Sequence, residues 1–346
     1  MTEKNQNEDE RLTAATENPE EVIFDNTLRP KQLGDFVGQD QIKQNLSIAI
    51  EAAKQRDDSL EHIILYGNPG LGKTTLAHII AREMGANIRV ASGPTLEKVG
   101  DLAAILSNLQ KGDVLFIDEI HRLNKTIAEV LYPALEDFAL DIIIGQGPTA
   151  RTLRMPLAPF TLIGATTKLS LLPSPLRDRF GHVFHLNFYE PEDIKKIIKC
   201  NANILDMQVE SQAADLISAR SRRTPRIANR LLKRVRDFAQ VHNASDTQVK
   251  GATAKAAMDI LAIDEFGLDN IDRALLNILI EKFNGGPTGL NNLAAAIAEE
   301  MDTIETVYEP FLLQIGFLER TPRGRKATRA AYDHLGFKYP KNPTLI

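Results

Sequence analysis

The chain has 346 residues, of which 43% are hydrophobic and 25% charged, and its formal net charge is −5. This length exceeds what one hydrophobic core normally serves, so we expect a globular protein of two or three domains. No apolar run approaches the roughly 20 residues of a membrane helix, and the lone Cys200 excludes an internal disulfide. These properties predict a cytoplasmic protein that does not enter the membrane.

The amino-terminal stretch of the chain is acidic. Its first 20 residues contain six acidic and two basic side chains and no apolar core, which excludes a signal peptide. Such a composition is typical of disorder, because too little apolar surface can be buried. We predict a disordered acidic tail over residues 1–24.

Residues 25–189 alternate between helical and strand patterns. Apolar residues recur at helical spacing over 36–56. Two further apolar runs flank a Gly/Pro turn and predict an inserted β-hairpin at about residues 140–155. Continuous apolar runs separated by helices are typical of a parallel sheet covered on both faces. Three such runs predict strands, namely HIILYG (62–67), DVLFID (113–118) and FTLIGATT (160–167).

The rest of the chain is predicted to form two further domains. Residues 190–261 contain helical patterns only, which indicates a small helical domain, and IDEFGLD (263–269) resembles a linker. The last domain is predicted over residues 262–346, where residues 271–335 contain three short helical patterns followed by GFLERTPRGRKAT. That order is typical of a winged helix with a basic hairpin.

Two basic segments interrupt the acidic body. Residues 220–236 contain eight basic side chains and no acid, and residues 320–329 contain five and no acid. Charge alone leaves two interpretations open for each segment: a contact for a polyanion, or a solvated helix face or loop.

The segment GNPGLGKTT (67–75) fits the phosphate-binding pattern G-x-x-x-x-G-K-[ST]. It lies between a strand and a helix predicted over residues 73–84, with Gly85 beyond the helix end. The glycines let backbone N–H groups face phosphate oxygens, and the helix amino terminus adds partial positive charge. Lys73 is expected to reach the β- and γ-phosphates of ATP, and the Thr74 hydroxyl to bind Mg²⁺. A chance glycine turn is the alternative, which the strand and helix context disfavours.

The second nucleotide motif is LFIDE (115–119). Asp118, at the end of a predicted strand, is placed to hold Mg²⁺, and Glu119 is the expected general base for water attack on the γ-phosphate. Two acids that cap the following helix are the structural alternative, which the P-loop motif disfavours. Since nothing indicates a pocket for an acceptor substrate, we predict hydrolysis of ATP.

These motifs, with GATT (164–167), SPLRDRFG (174–181) and TPRIANRLLKRVRDFA (224–239), resemble the AAA+ ATPases. The resemblance is stronger still to the bacterial motors that migrate Holliday junctions, because further stretches extend it over residues 25–335. These stretches include LRPKQLGDFVGQ (28–39), LYPALEDF (131–138) and GFLERTPRGR (316–325). The resemblance implies an α/β fold with a P-loop AAA+ sheet domain, a helical lid and a carboxy-terminal winged-helix DNA-binding domain.

The resemblance also assigns roles to individual residues. Thr167, or its neighbour Thr166, matches the polar sensor that positions the attacking water, and Arg226 matches the second sensor. Arg179 matches the arginine finger, which stabilises charge on the γ-phosphate bound by the next subunit. Because a subunit then cannot complete its own site, a ring is expected, and the resemblance implies a homohexamer around duplex DNA. The other implied nucleotide-binding residues are Leu28, Arg29, Gly67, Gly70, Gly72, Thr75, Glu136, Asp137, Phe138 and Tyr189.

The resemblance implies partners as well. The hairpin at about 140–155 is expected to dock on RuvA, the tetramer that holds the four-way junction open, and the junction resolvase RuvC is a further partner. Met301 stands near the DNA-binding helix where an arginine is expected. Arginines on a wing suit phosphate contacts, which provide affinity without sequence preference. The predicted DNA-binding residues are Arg320, Arg323 and Arg325.

Together these features predict an ATP-dependent motor that drives branch migration during homologous recombination and DNA repair. The alternative is an ATP-switched loader or initiator that closes on DNA without translocating, since a P-loop, a finger and a winged helix are expected there too. The hairpin and the extent of the motif match favour the motor.

Overall fold

The computed structural model describes three stretches of the chain, residues 27–144, 151–242 and 248–340. At residues 142–144 it describes the backbone only. The predicted acidic tail over residues 1–24 lies outside these stretches.

The described residues form two compact units. The first unit comprises Arg29–Gly67 and Leu71–Phe188. The second comprises Asn68–Gly70 and the chain from Tyr189 onward, together with Leu28. The middle of the P-loop motif therefore belongs to the second unit, while its two ends belong to the first.

A parallel sheet forms the centre of the first unit. The strands of this unit are β1 (Ile63–Tyr66), β2 (Ile88–Ser92), β3 (Val114–Asp118), β4 (Ala139–Ile144), β5 (Arg151–Pro156), β6 (Thr161–Thr166) and β7 (His182–His185), of which β4 and β5 form a separate hairpin. The sheet has five parallel strands in the order β2-β3-β6-β1-β7. The helices of this unit are α1 (Asp40–Arg56), α2 (Lys73–Glu83), α3 (Val99–Ser107), α4 (Lys125–Glu136) and α5 (Ser174–Arg177).

Burial explains which strands the sequence predicts. β3, β6 and β1 lie side by side in the middle of the sheet, and every residue of β6 is buried. These are the three strands predicted from continuous apolar runs, and they are confirmed. The edge strands β2 and β7 carry no such run, because exposed polar residues such as Arg89 and His185 interrupt it. The sequence therefore does not predict them.

The predicted hairpin insertion is confirmed in its two strands. β4 and β5 pair antiparallel, with Leu140 opposite Met155. Leu140 is fully buried in the core of the first unit, whereas Leu153 on β5 is 52% exposed. The turn at 145–150 lies outside the described residues.

The lid part of the second unit is mainly helical, as predicted, but it also contains two short parallel strands that the sequence does not predict. Its elements are α6 (Pro191–Ile204), β8 (Gln208–Val209), α7 (Ser211–Arg220), α8 (Pro225–His242), β9 (Gln248–Val249) and α9 (Gly251–Ile260). A proline suits the first position of α8, because the N–H at that position has no intrahelical acceptor. The apolar side of α8 is buried, and Cys200 lies exposed on α6.

The winged-helix part follows, and its antiparallel wing confirms the predicted basic hairpin. Its elements are α10 (Asn270–Glu281), α11 (Leu290–Ile297), α12 (Met301–Thr303), a π-helical turn (Ile304–Tyr308), α13 (Glu309–Gln314), β10 (Leu318–Thr321), β11 (Gly324–Ala327) and α14 (Arg329–Leu335). In the wing formed by β10 and β11, Arg320 lies opposite Arg325. Across the described residues, no helix combines the length and the apolarity needed to span a membrane.

Candidate active site

The P-loop motif follows β1 and leads into α2. Gly67 has a φ of +145°, and a Cβ atom there would lie 2.5 Å from the carbonyl oxygen of Leu186, so this position excludes a side chain. The Nζ of Lys73 donates to the Gly67 carbonyl at 2.8 Å and is held close over the loop. The N–H groups of the first turn of a helix lack intrahelical acceptors, so the start of α2 suits an anion. This arrangement fits a nucleotide phosphate.

The acidic pair lies at the carboxyl end of β3. Asp118 ends the strand, and its Oδ1 accepts a hydrogen bond from the N–H of Glu119 at 2.9 Å. Among the described residues, no group of three or more His, Cys, Asp or Glu side chains could hold a metal ion. Mg²⁺ binds oxygen and commonly takes one or two carboxylates together with phosphates and water. Asp118 and the hydroxyl of Thr74 fit such a partial protein ligand set.

Glu119 occupies a left-handed backbone position, with a φ of +48°. Its side chain is 44% exposed, and Oε2 accepts from Nη1 of Arg122 at 2.9 Å. The predicted general base is therefore held by a neighbouring guanidinium. Only the spacing of three residues between an acid and a base hints at this contact in the sequence.

Two threonines at the end of β6 differ in their surroundings. Thr166 is buried, its Oγ1 lies 2.9 Å from Nδ1 of His121, and it accepts from the N–H of Lys168 at 2.9 Å. Thr167 is half-buried. Since its partners fix Thr166, Thr167 is the better candidate for the sensor, and its role stays a prediction.

Arg179, the predicted arginine finger, contacts its own chain. Its Nη2 lies 2.9 Å from Oε1 of Glu136, its Cζ lies 4.6 Å from the ring centroid of Tyr132, and Nη1 donates to the carbonyl of Pro175. The usual partner in an RDR sequence would be Asp178, whereas the structure shows Glu136. The sequence gives little sign of this, because 43 positions separate the two residues.

The stretch 136–138 does not act as one group in this structure. Glu136 contacts Arg179, and Asp137 pairs with Arg154 at 2.6 Å on β5. Phe138 packs edge-on against Phe160, with 5.9 Å between ring centroids. The nucleotide-binding role predicted for these three residues stays a prediction, as does that of Arg29 and Thr75.

In the second unit, the middle of the P-loop motif lies against the start of α8. The N–H of Arg226 points at the carbonyl of Gly70 at 3.4 Å, and a Cβ at Gly70 would lie 2.8 Å from Cβ of Arg226. Tyr189 is buried, and its N–H donates to the carbonyl of Arg223 at 3.0 Å. The structure thus brings three of the predicted nucleotide-binding residues, Gly70, Tyr189 and Arg226, into one region of the second unit. A fourth, Leu28, belongs to the same unit and is buried.

The predicted DNA-binding arginines of the wing differ in their environment. Glu309 is fully buried, and its carboxylate accepts from Nε of Arg320 at 2.7 Å and from Nη2 of Arg325 at 2.9 Å. The side chain of Arg320 is 51% exposed, but that of Arg325 is only 14% exposed. Arg323 lies exposed at the turn, and Met301 is 46% exposed. The buried Glu309 is a residue that sequence reasoning missed.

The second basic segment is more buried than a solvated face. Arg220, Arg222 and Arg230 are all buried. The interpretation of residues 220–236 as an exposed basic face is therefore wrong for these three side chains, because they lie inside the second unit, where Arg222 pairs with Asp272 and Nη1 of Arg220 donates to the carbonyl of Ile263.

A parallel sheet with a P-loop after β1 and an acidic pair after β3, followed by a helical lid and a winged helix, defines a P-loop AAA+ ATPase fold. Three family profiles match successive parts of the chain. They are the Holliday junction DNA helicase RuvB P-loop domain at residues 28–186, the RuvB AAA lid domain at 189–264 and the RuvB C-terminal winged helix domain at 265–336. The chain belongs to the RuvB family.

Individual relatives agree. The chain is 56% identical to the Holliday junction branch migration complex subunit RuvB of Dehalococcoides mccartyi (strain CBDB1) over 332 residues, which cover 96% of this chain and 95% of the relative. The solved structure of the Thermotoga maritima RuvB Holliday junction branch migration motor matches with a TM-score of 0.83 and 52% identity, covering 91% of this chain and 100% of that one. The solved structure of a single-residue variant of that motor matches with a TM-score of 0.84 and 52% identity, covering 90% of this chain and 99% of the variant. The predicted fold class is confirmed.

Proposed function

We propose that this protein is the ATP-driven motor that moves Holliday junctions together with RuvA during recombination and repair, in the cytoplasm. The observation that carries the proposal is the P-loop geometry within a chain that matches the RuvB family over all three domains. The alternative, a loader or initiator that does not translocate, is not favoured by this family membership.

The residues of the first unit supply the chemistry of hydrolysis. Lys73, held at the Gly67 carbonyl, provides a fixed positive charge where the phosphates of ATP would lie. Glu119 would take the proton of the attacking water, and Arg122 holds its carboxylate in place. When bound, Mg²⁺ would neutralise charge on the phosphates, and Thr74 and Asp118 would hold it. Thr167 is proposed as the first sensor, and Arg226, which belongs to the second unit, as the second sensor.

We infer that Arg179 completes the site of a neighbouring copy in a homohexameric ring. On its own chain it contacts Glu136, whose side chain is 54% exposed. The Arg179 side chain itself is 21% exposed, so the pair is partly open to solvent, which weakens it by screening and lets a γ-phosphate compete with this carboxylate. The exposed hairpin residue Leu153 supports RuvA as the partner of β4 and β5, and the wing arginines support contact with the phosphates of duplex DNA.

Two measurements test the proposal. ATP hydrolysis is measured with and without duplex DNA, and the migration of a synthetic four-way junction is measured with and without RuvA. We expect duplex to stimulate hydrolysis and migration to require both RuvA and ATP. Lys73→Met, which keeps the aliphatic stem and removes the charge, is the matched control and is expected to abolish both activities.

The same experiment separates the motor from the loader. A motor consumes ATP continuously on circular duplex, whereas a loader stops after it has closed on the DNA. Active hydrolysis without any RuvA-dependent migration would contradict the motor and favour the loader.

A further inference from the structure

The turn between α7 and α8, together with the first two residues of α8, connects two functional parts of the second unit. We call residues 221–226 the lid turn. On one side it contacts the middle of the P-loop motif, through Arg226 at the carbonyl of Gly70 and through Thr224, whose Cγ2 would lie 2.9 Å from a Cβ at Gly70. Its Arg223 carbonyl also accepts from the N–H of Tyr189 at 3.0 Å. The lid turn is therefore in contact with residues on the nucleotide side.

On its other side the lid turn reaches the winged helix through one side chain. The guanidinium of Arg222 pairs with the carboxylate of Asp272 in the first turn of α10. The two side chains are only 2% and 0% exposed. The Cζ of Arg222 also lies 4.9 Å from the ring centroid of Phe311 on α13. Arg222 thus contacts two separate helices of the winged-helix part.

Asp272 also takes part in the cap at the amino terminus of α10. Its Oδ2 accepts from the N–H of Asp269 at 3.0 Å, while Oδ1 of Asp269 accepts from the N–H of Asp272 at 3.0 Å. This reciprocal capping fixes the first turn of α10. A displacement of Arg222 therefore acts on the start of the helix and not only on a flexible side chain.

The backbone of the lid turn is held in an unfavourable conformation. Arg222 and Arg223 have φ values of +54° and +53°, in the left-handed region that non-glycine residues avoid. Such residues persist only where their surroundings fix them, and they concentrate at functional positions. The contacts to Asp272, Phe311 and Tyr189 provide that fixation.

Stability alone does not explain the pair. Among the described residues, Nε of Arg222 and Oδ1 of Asp272 are buried and have no hydrogen-bond partner. Burial raises the pKa of Asp272 to about 7 against the opposing effect of Arg222, so the charged carboxylate depends on the guanidinium. Well-packed apolar residues in place of a buried ion pair are often as stable or more stable. A role in fixing geometry explains why charges occupy this place.

We propose that Arg222 is a positioning residue that transmits movement of the lid turn, on the nucleotide side, to the winged helix through Asp272. The inference rests on the proposed function, because it concerns how hydrolysis is linked to movement along DNA. It assigns this linkage to one buried contact.

The test compares hydrolysis with movement in Arg222→Met and Asp272→Asn. Both changes keep the side-chain volume, and the Asn oxygen can still accept from Asp269. We expect ATP hydrolysis without DNA and duplex affinity to stay within about twofold of the parent, whereas base pairs exchanged per ATP fall at least about fivefold. A merely structural role would not lower this ratio selectively.

Leu279→Ala is the matched control, because Leu279 is fully buried on the same helix α10, seven residues after Asp272, and its loss destabilises the winged helix while both charges of the pair remain. It is expected to lower the melting temperature while the parent's ratio of base pairs per ATP is kept. The proposal is wrong if the number of base pairs exchanged per ATP falls as strongly in the control as in the two variants. It is also wrong if the two variants keep the parent's number.

The outcome for the parent distinguishes this inference from the proposed function. A parent that fails to migrate junctions contradicts the motor itself, whereas a migrating parent with unaffected variants contradicts only the role of Arg222. If either single variant fails to fold, the double variant Arg222→Met with Asp272→Asn removes both charges and is scored by the same ratio. A double variant with the parent's ratio overturns the proposal.

Discussion

The substitution Gly67→Ala tests whether the P-loop has the geometry described. Alanine at a φ of +145° is strained, which costs about 1–3 kcal/mol. Its Cβ would lie 2.5 Å from the Leu186 carbonyl oxygen, and relieving this overlap costs about 1–2 kcal/mol more. We therefore expect the free energy of unfolding to fall by about 3 kcal/mol. At about 2–4 °C per kcal/mol, the melting temperature falls by roughly 6–12 °C.

Gly85→Ala is the matched control. Gly85 also has a positive φ, of +66°, but among the described residues nothing lies within 4 Å of a Cβ there. This variant has the backbone strain without the steric overlap, so we expect its free energy of unfolding to fall by about 1 kcal/mol and its melting temperature by about 2–4 °C. Thermal unfolding measures both variants, and a fluorescent ATP analogue measures nucleotide affinity. Because the Gly67 carbonyl holds Lys73, Gly67→Ala is expected to weaken affinity at least about tenfold, whereas Gly85→Ala leaves it unchanged. Equal melting temperatures and equal affinities for the two variants would refute the reasoning.

Three further predictions concern other parts of the first unit. Arg179→Ala is expected to slow hydrolysis of ATP by about 10³-fold or more. Mixing it with Glu119→Gln subunits should restore part of the rate, because the first variant keeps the general base and the second keeps the arginine finger. If the mixture recovers no activity, Arg179 does not act in trans. Burial lowers the pKa of His62 in the folded protein, whereas in the unfolded chain this pKa stays at about 6.5. As the pH falls below about 6.5, the unfolded state therefore takes up the proton first, and the free energy of unfolding falls by up to about 1.4 kcal/mol per pH unit. Urea unfolding of the parent and His62→Gln checks this, and equal pH slopes would refute it. Leu153→Asp should raise the RuvA concentration for half-maximal migration at least about fivefold without changing hydrolysis in the absence of RuvA; unchanged RuvA dependence argues against the hairpin contact.

The sequence predicts the middle of the sheet better than its edges. β1, β3 and β6 are buried on both faces, so their apolar runs are continuous and easily recognised. β2 and β7 each have a neighbour on one side only, and polar residues such as Arg89 and His185 interrupt their apolar runs. The domain boundaries predicted at 24, 189 and 261 stay predictions.

Local motifs were predictable at the candidate site, whereas contacts between distant residues were not. The P-loop and the pair Asp118 and Glu119 are recognisable because neighbouring residues act together. The pairing of Arg179 with Glu136 and that of Arg222 with Asp272 join residues far apart in the chain, and no local pattern encodes them. Basic residues in 220–236 therefore resemble a solvated face until the fold shows that some are buried.

The exposed Cys200 on α6 has a practical consequence, because it is the one cysteine of the chain. A maleimide dye would label each subunit once, on the lid, without any engineered residue. The natural protein thus carries its own attachment point for single-molecule fluorescence. The rotation of one labelled lid could be timed against individual turnovers.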